Sequence, residues 1–314
     1  MEFFLYHLTF AGISLLLAQS LNLIWRFDRF SLGHQGFFAL GAYSGAILAR
    51  LWIASVGSSR FAGLAFLVAS MVFACAVSTL VAWFLARSLE RAQGDAFAVA
   101  TLIFAEIIRL AVTNTSFVGG GLGFEVPYLV FDNSKDERFA YVALYASLVS
   151  VLCMALYWGL RRLDGSVYAL YANAVRDDSL AAELSGVDVQ RRLQGRVFAL
   201  GCGVAGMTGA VFLHFTTLIV PADFSFLNSL PIVLSVVLGR LDTRRCTVMT
   251  LALYAGLETI KLRFFGLFGP EVGSRIAEWR DAQIGLLLVL SVTGPLLWRR
   301  LRGHRGPAGQ KVAT

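Results

Sequence analysis

"RFSLGHQGFFALGAYSGAILARL", residues 29–51, has the length and apolar content of a membrane helix, yet it carries Ser31, His34, Gln35 and four glycines, Gly33, Gly36, Gly41 and Gly45. Small and polar residues inside an apolar run have a use when helices must pack against one another in lipid, where close backbone approach replaces the hydrophobic drive. The rest of the chain says that lipid is its solvent. Of 314 residues, 57% are hydrophobic and only 15% charged, far from the mix of a soluble domain. The apolar runs extend from end to end, so one integral domain is expected over 1–300, followed by a basic tail at 301–314.

A helix needs about 20 residues to cross an apolar core roughly 30 Å thick. Candidate spans are Phe3–Trp25, Leu32–Ile53, Phe61–Leu85, Ala96–Thr113, Tyr141–Leu160, Val197–Val220, Phe226–Gly239, Thr247–Ile260 and Gln283–Trp298. The last three are short, so seven spans or a re-entrant segment also fit. The expected fold class is an all-α polytopic integral membrane protein with about 8–10 transmembrane helices and one surface helix. The first run lacks a basic n-region and a cleavage site and is read as a retained span.

Charge tests the topology, because Lys and Arg accumulate on the cytoplasmic side. With the N-terminus outside, the inner connections hold Arg26, Arg29, Arg87, Arg91, the arginines of 161–196, Arg240, Arg244, Arg245 and the basic C-terminal tail. That set is more than twice the outer one, so an odd number of spans with the C-terminus inside is expected. The net charge of +7 then faces anionic membrane lipid, and nucleic acid need not be invoked. Cys75, Cys153, Cys202 and Cys246 show no CxxC spacing, so neither a disulfide framework nor a metal site is indicated.

The longest inner connection, 163–196, contains a compact helix signal: Asp177 or Asp178 as cap, "SLAAEL" as helix former and Gly186 as stop. Leu180, Ala181 and Leu184 share a face, so this helix would lie along the membrane surface. It is either a solvated loop helix or an element that couples the spans to a partner.

Four blocks, "SLGHQGFFALGAYSGAIL" (31–48), "GDAFAVATLIFAEIIRL" (94–110), "AVRDDSLAAELSGVDVQRRL" (174–193) and "VPADFSFLNSLPIVLSVVLG" (220–239), resemble the permeases of the branched-chain amino acid ABC importers, the LIV type, and their M subunit more than its H partner. Urea and short-amide importers share the pattern. The resemblance implies a translocation subunit for branched-chain amino acids or similar small polar solutes in a bacterial inner membrane. Its implied partners are a second, H-like permease, two cytoplasmic ATPases and a periplasmic solute-binding protein. It implies that ATP and Mg act through the ATPases, with no cofactor on this chain, and that the surface helix is a coupling helix involving Asp178, Ala182, Glu183 and Gly186. Two departures bear on substrate and partner: "RLDTRR" (240–245) replaces a glycine-rich turn, and Asp95 stands where an apolar residue is usual.

Within that frame Gly41/Gly45 in the second span and Gly206 and Gly209 in the sixth mark candidate tight packing. Ser31, Gly33, His34 and Gln35 mark either the start of the second helix or a broken helix dipping into the bilayer. Either way, exposed amides there would offer partial positive charge to a carboxylate. Phe37, Phe38 and Tyr43 would line an apolar path. Glu106 pairs with Arg109 at i, i+3, as a structural pair or as a residue on the route, since a lone charge near mid-membrane costs about 2.5–3.5 kcal/mol. The outer loop 114–138 is glycine-rich but lacks the strand and Gly-Lys-Ser/Thr of a phosphate loop. No GxSxG, HExxH or paired-carboxylate cleft appears, so catalytic residues are not expected. The rival classes are a secondary carrier and a membrane-embedded enzyme or scaffold.

Overall fold

The apolar runs form long helices, because in lipid a chain must satisfy its backbone N–H and C=O groups within itself. A computed structural model describes residues 1–52, 60–92, 94–131, 137–185 and 190–259. It divides into a unit Met1–Ala255 and a unit Gly256–Thr314; only the helical residues 256–259 of the second are described. The ninth candidate span, the basic tail, Gly186, Asp132, Asp136 and Lys261 lie outside the described residues.

The helices are α1 (Glu2–Arg26), α2 (His34–Trp52), α3 (Arg60–Ser88), α4 (Asp95–Thr113), α5 (Arg138–Asp164), α6 (Val167–Asp177), α7 (Ser179–Leu184), α8 (Gln190–Thr216), α9 (Phe226–Gly239) and α10 (residues 243–259). Among the described residues six segments are long and apolar enough to cross a membrane: α1, α3, α4, α5, α8 and Pro221–Gly239. The protein is therefore an all-α, multi-pass membrane protein.

Burial sorts the helices by depth in the bundle. The apolar windows of α1 and α8 are 72% and 78% buried, against 22–39% for the other four, so α1 and α8 form the centre. Helix α2 belongs with them: Phe37, Ala39, Ala42, Ala46 and Ala49 are all buried. Leu16, Phe37, Met71, Phe97, Tyr145, Phe198, Val211 and Leu213 form one continuous core across α1–α5 and α8. Helix α3 turns Val68, Val72, Phe73, Leu80 and Phe84 outward, and α5 does so with Val151, Met154 and Trp158. Such outward apolar faces are what lipid-facing helices present.

The sharpest helix contact is α2 against α8. A Cβ on Gly41 would overlap the backbone of Gly206, and Gly209 abuts the Phe38 carbonyl. Gly45 lies against Ser70 and Ala210. The two backbones meet only because nothing but hydrogen stands between them.

The turns between helices are tied by arginines. Arg29, buried in the α1–α2 turn, donates to the Ala92 carbonyl (2.7 Å) and to Gln194 Oε1 (3.2 Å) and lies over the Phe97 ring (4.8 Å). It thereby caps the end of α3 and holds it to α8. Arg26 pairs with Asp164 at the end of α5 and donates to the Leu241 carbonyl (2.8 Å) and Thr243 Oγ1 (2.6 Å). "RLDTRR" is therefore a tight helix junction: Arg240 and Leu241 are left-handed, closing α9, and Asp242 Oδ1 caps α10 by accepting the N–H of Arg244 (2.8 Å).

One span departs from the hydropathy reading. Helix α8 ends at Thr216 and not at Val220, because Thr217 is left-handed and Leu218–Ile219 (β2) pairs antiparallel with Phe124–Glu125 (β1) of the glycine-rich loop. Pro221, which has no N–H to donate, opens a 3₁₀ turn, and α9 begins at Phe226.

Candidate functional site

Residues Val220–Ser225 form a non-helical break between β2 and α9, and what they touch makes them the candidate site. Pro221–Phe224 is a 3₁₀ turn that packs against α2 and α4. Phe224 is buried between Phe38 (5.3 Å), Tyr43 (5.6 Å) and Phe212 (6.2 Å), measured between ring centroids. Phe38 lies four residues into α2 and 14 residues, about 20 Å along a helix, from its Trp52 end, so the break packs against the first half of α2. A break at the start of a membrane span leaves backbone and polar side chains where helices would expose only apolar groups, which is tolerated where they line a cavity or are covered by protein.

The polar groups at the break are organised. Asp223 Oδ2 accepts the Val220 N–H (3.1 Å), while its backbone carbonyl receives Gln35 Nε2 (3.3 Å) and Asn228 Nδ2 (3.2 Å). Asn228 also donates to the Ala222 carbonyl (3.0 Å). Ala222 and Leu227 are exposed and Asp223 half-buried, so the break opens outward. Tyr43, whose ring belongs to the same aromatic group, has a buried hydroxyl with no hydrogen-bond partner among the described residues.

The neighbouring α4 carries the charges. Gly33 lies on the Thr101 carbonyl and donates its N–H to Thr101 Oγ1 (3.4 Å), and Gly36 lies on Ala105, so α2 and α4 run side by side at this depth. Glu106 follows Ala105 directly. Its carboxylate accepts Arg109 Nε at 3.0 Å on both oxygens and pairs with the Arg109 guanidinium. The Glu106 side chain remains 46% exposed and that of Arg109 28%, on a helix whose Val99, Ile103 and Ile107 also point outward.

The other sequence candidates are packed inward. His34 Nε2 lies 2.7 Å from Ser20 Oγ of α1, and both His34 and Ser31 are buried. Phe37 stacks on Phe104 (5.0 Å) and meets Phe198 edge-to-face (5.7 Å). Ser31, Gly33, His34 and Phe37 thus lock the start of α2, which begins at His34 as a single helix and not as a broken one. Gln35, Phe38 and Tyr43 meet the break, whereas Glu106 lies on the outward side of the neighbouring α4 with Arg109 as its partner. Sequence reasoning passed over Asp223, Phe224 and Asn228, although Pro221 followed by "ADFSFLNS" just ahead of an apolar run carries the signal of an interrupted helix.

A family model described as the permease component of the branched-chain amino acid transport system matches residues 3–292. The chain belongs to this family. This permease is similar to LivM, the high-affinity branched-chain amino acid transport system permease protein, of Salmonella typhimurium strain LT2: 27% identity over 248 residues, covering 71% of this chain and 55% of the relative. Similarity to the LivM of Escherichia coli K12 is 27% over 244 residues, covering 69% and 54%. The permease spans about half the length of these curated relatives. No solved structure matches it.

In the permease, the long connection after α5 holds two helices where the sequence signalled one. Helix α6 runs to Asp177, and Asp178 is extended, which separates it from α7. Asp178 Oδ1 then accepts the Ala181 N–H (3.0 Å), the N-cap bond of a six-residue helix. Among the described side chains of α7, Ala182 is buried, whereas Ala181 and Leu184 are exposed. The Glu183 side chain lies outside the described residues.

Proposed function

We propose that this permease forms the path for branched-chain amino acids, or solutes of similar size and polarity, in an ABC importer of a bacterial inner membrane. The N-terminus lies outside, and a second H-like permease, two cytoplasmic ATPases and a periplasmic solute-binding protein complete the machine. The observation that carries the reading is the break at Val220–Ser225, packed on α2, with the charge pair Glu106–Arg109 on the neighbouring helix α4. A zwitterion needs partners of both signs, and an aliphatic side chain needs an apolar wall. Asp223, Glu106 and Arg109 supply the first, and Phe38, Tyr43 and Phe224 supply the second. A half-exposed charge pair within an apolar helix is unfavourable against lipid, so water or protein covers this face.

Movement comes from outside the chain, because ATP and Mg belong to the ATPases. Helix α7, capped by Asp178 and anchored by Ala182, is the element they would grip. A short capped helix transmits a push to α6 and α8 on either side, which an unstructured loop cannot do. Reconstituting the permease with its partners in proteoliposomes tests the proposal: leucine uptake should require ATP and the binding protein. Uptake that persists on an ion gradient without ATP, or flux of urea but not leucine, contradicts it.

A further inference from the structure

The end of the bundle where α1, α5 and α9 finish holds a second feature, unconnected with the break. A cavity of about 260 Å³ lies there, lined among others by Arg26, Asp164, Asn173, Arg176, Arg240 and Asp242. Three cations against two carboxylates leave a net charge of +1, and each carboxylate is already engaged by other donors. Asp164 is bound by Arg26 through Oδ1 and by Thr243 Oγ1 (3.0 Å) through Oδ2. Asp242 Oδ1 accepts the backbone N–H groups of Arg244 (2.8 Å) and Arg245 (3.4 Å).

Arg176 and Arg240 make no ion pair among the described residues, although Arg176 is close enough to Asp28 for its charge to be felt there. Asn173, one turn before Arg176, shares its face of α6 and adds an amide donor. Two guanidinium groups and an amide converging on one cavity suit a phosphate group, which guanidinium forks bind through paired hydrogen bonds. The cavity is just below the roughly 300–1,000 Å³ of sites for larger organic ligands, which fits a headgroup better than a whole metabolite.

Helix α6 points to the source of that phosphate. Its Val167, Tyr168 and Leu170 are exposed while Ala172 and Val175 are buried, so it presents an apolar strip beside the cavity at the end of a membrane bundle. That is the pattern of a helix lying in the headgroup layer. We infer that the cavity binds a phosphate group between Arg176 and Arg240, supplied by an anionic phospholipid, and that this pins α6 to the α9–α10 junction. Because α6 runs directly into α7, the bound headgroup fixes the base of α7.

The test uses the full-length permease, purified and delipidated, then titrated with phosphatidylglycerol, phosphatidylcholine or inorganic phosphate. Native mass spectrometry reads lipid retention and thermal melting reads phosphate binding. Phosphatidylglycerol should bind saturably, and R176Q/R240Q should weaken it at least tenfold. Each single variant should weaken it several-fold; neither side chain holds another element among the described residues, so the result does not hang on the double variant folding. R161Q/R162Q, basic residues outside the cavity, should bind as wild type does. If inorganic phosphate stabilises wild type but not R176Q/R240Q, and phosphatidylglycerol binds no better than phosphatidylcholine, the anion site stands and its lipid source is excluded. Equal binding of both ligands by wild type and R176Q/R240Q, or equal weakening by R161Q/R162Q, overturns the site.

Discussion

Glu106 and Arg109 are where the physics of single residues bears hardest on function. Removing one partner strands a charge within an apolar helix, at about 2.5–3.5 kcal/mol on insertion scales. R109Q should therefore lower the amount of permease in the membrane, read by quantitative immunoblot, and E106Q/R109Q should restore it. Uptake should remain about tenfold reduced in the double variant, equivalent to ~1.4 kcal/mol, because the polar partners of a zwitterion are gone. Full recovery of uptake would make the pair purely structural. Gly41→Val tests the backbone-to-backbone contact between α2 and α8. The added carbons meet the Gly206 backbone, which cannot yield as a side chain would, so about 1–3 kcal/mol of stability should be lost and the melting temperature of the purified protein should fall. An unchanged melting temperature would show that α2 and α8 separate freely. Arg29→Ala removes a buried cation that binds the Ala92 carbonyl and Gln194, a loss of about 1.5–3 kcal/mol visible in the same melt.

At the scale of elements, the proposed path lies at the break and the proposed drive acts on α7. Asp178→Ala removes the N-cap of a helix barely longer than one turn, at about 1 kcal/mol, enough to shift such a short helix toward disorder. ATP hydrolysis by the assembled transporter should continue while uptake falls; uptake and hydrolysis falling in proportion would exclude a coupling role. These elements also show where sequence reading succeeds and stops. The cap at Asp178 and the start of α9 at Phe226 are local signals, written in residue type and spacing. The end of α8 is not local. "TTLIVP" stays apolar past Thr216, and only the pairing of Leu218–Ile219 with a loop some 90 positions away decides that the chain leaves the helix there. Asp223 was illegible for the same reason, since its depth depends on which face of α2 receives Phe224. Helix α6 was passed over although its sequence is strongly amphipathic.

At the scale of the whole molecule, composition was sufficient for the class, and the small-residue tracks named the helices that meet at the centre. What composition does not encode is the division of polar groups. His34, Ser31, Ser20 and His214 are buried in the bundle, whereas Asp223, Glu106 and Arg109 keep partial access to its outside. In this conformation only the second set has such access. The account stands or falls on whether water reaches the break. With the four native cysteines replaced, Ala222→Cys at the break and Val151→Cys on the outward face of α5 can be exposed, in the assembled transporter, to a charged, water-soluble thiol reagent. Rapid modification of position 222, slowed by saturating leucine, with position 151 inert, is the expected result. An inert position 222 in a transporter that still takes up leucine would contradict a path through the break.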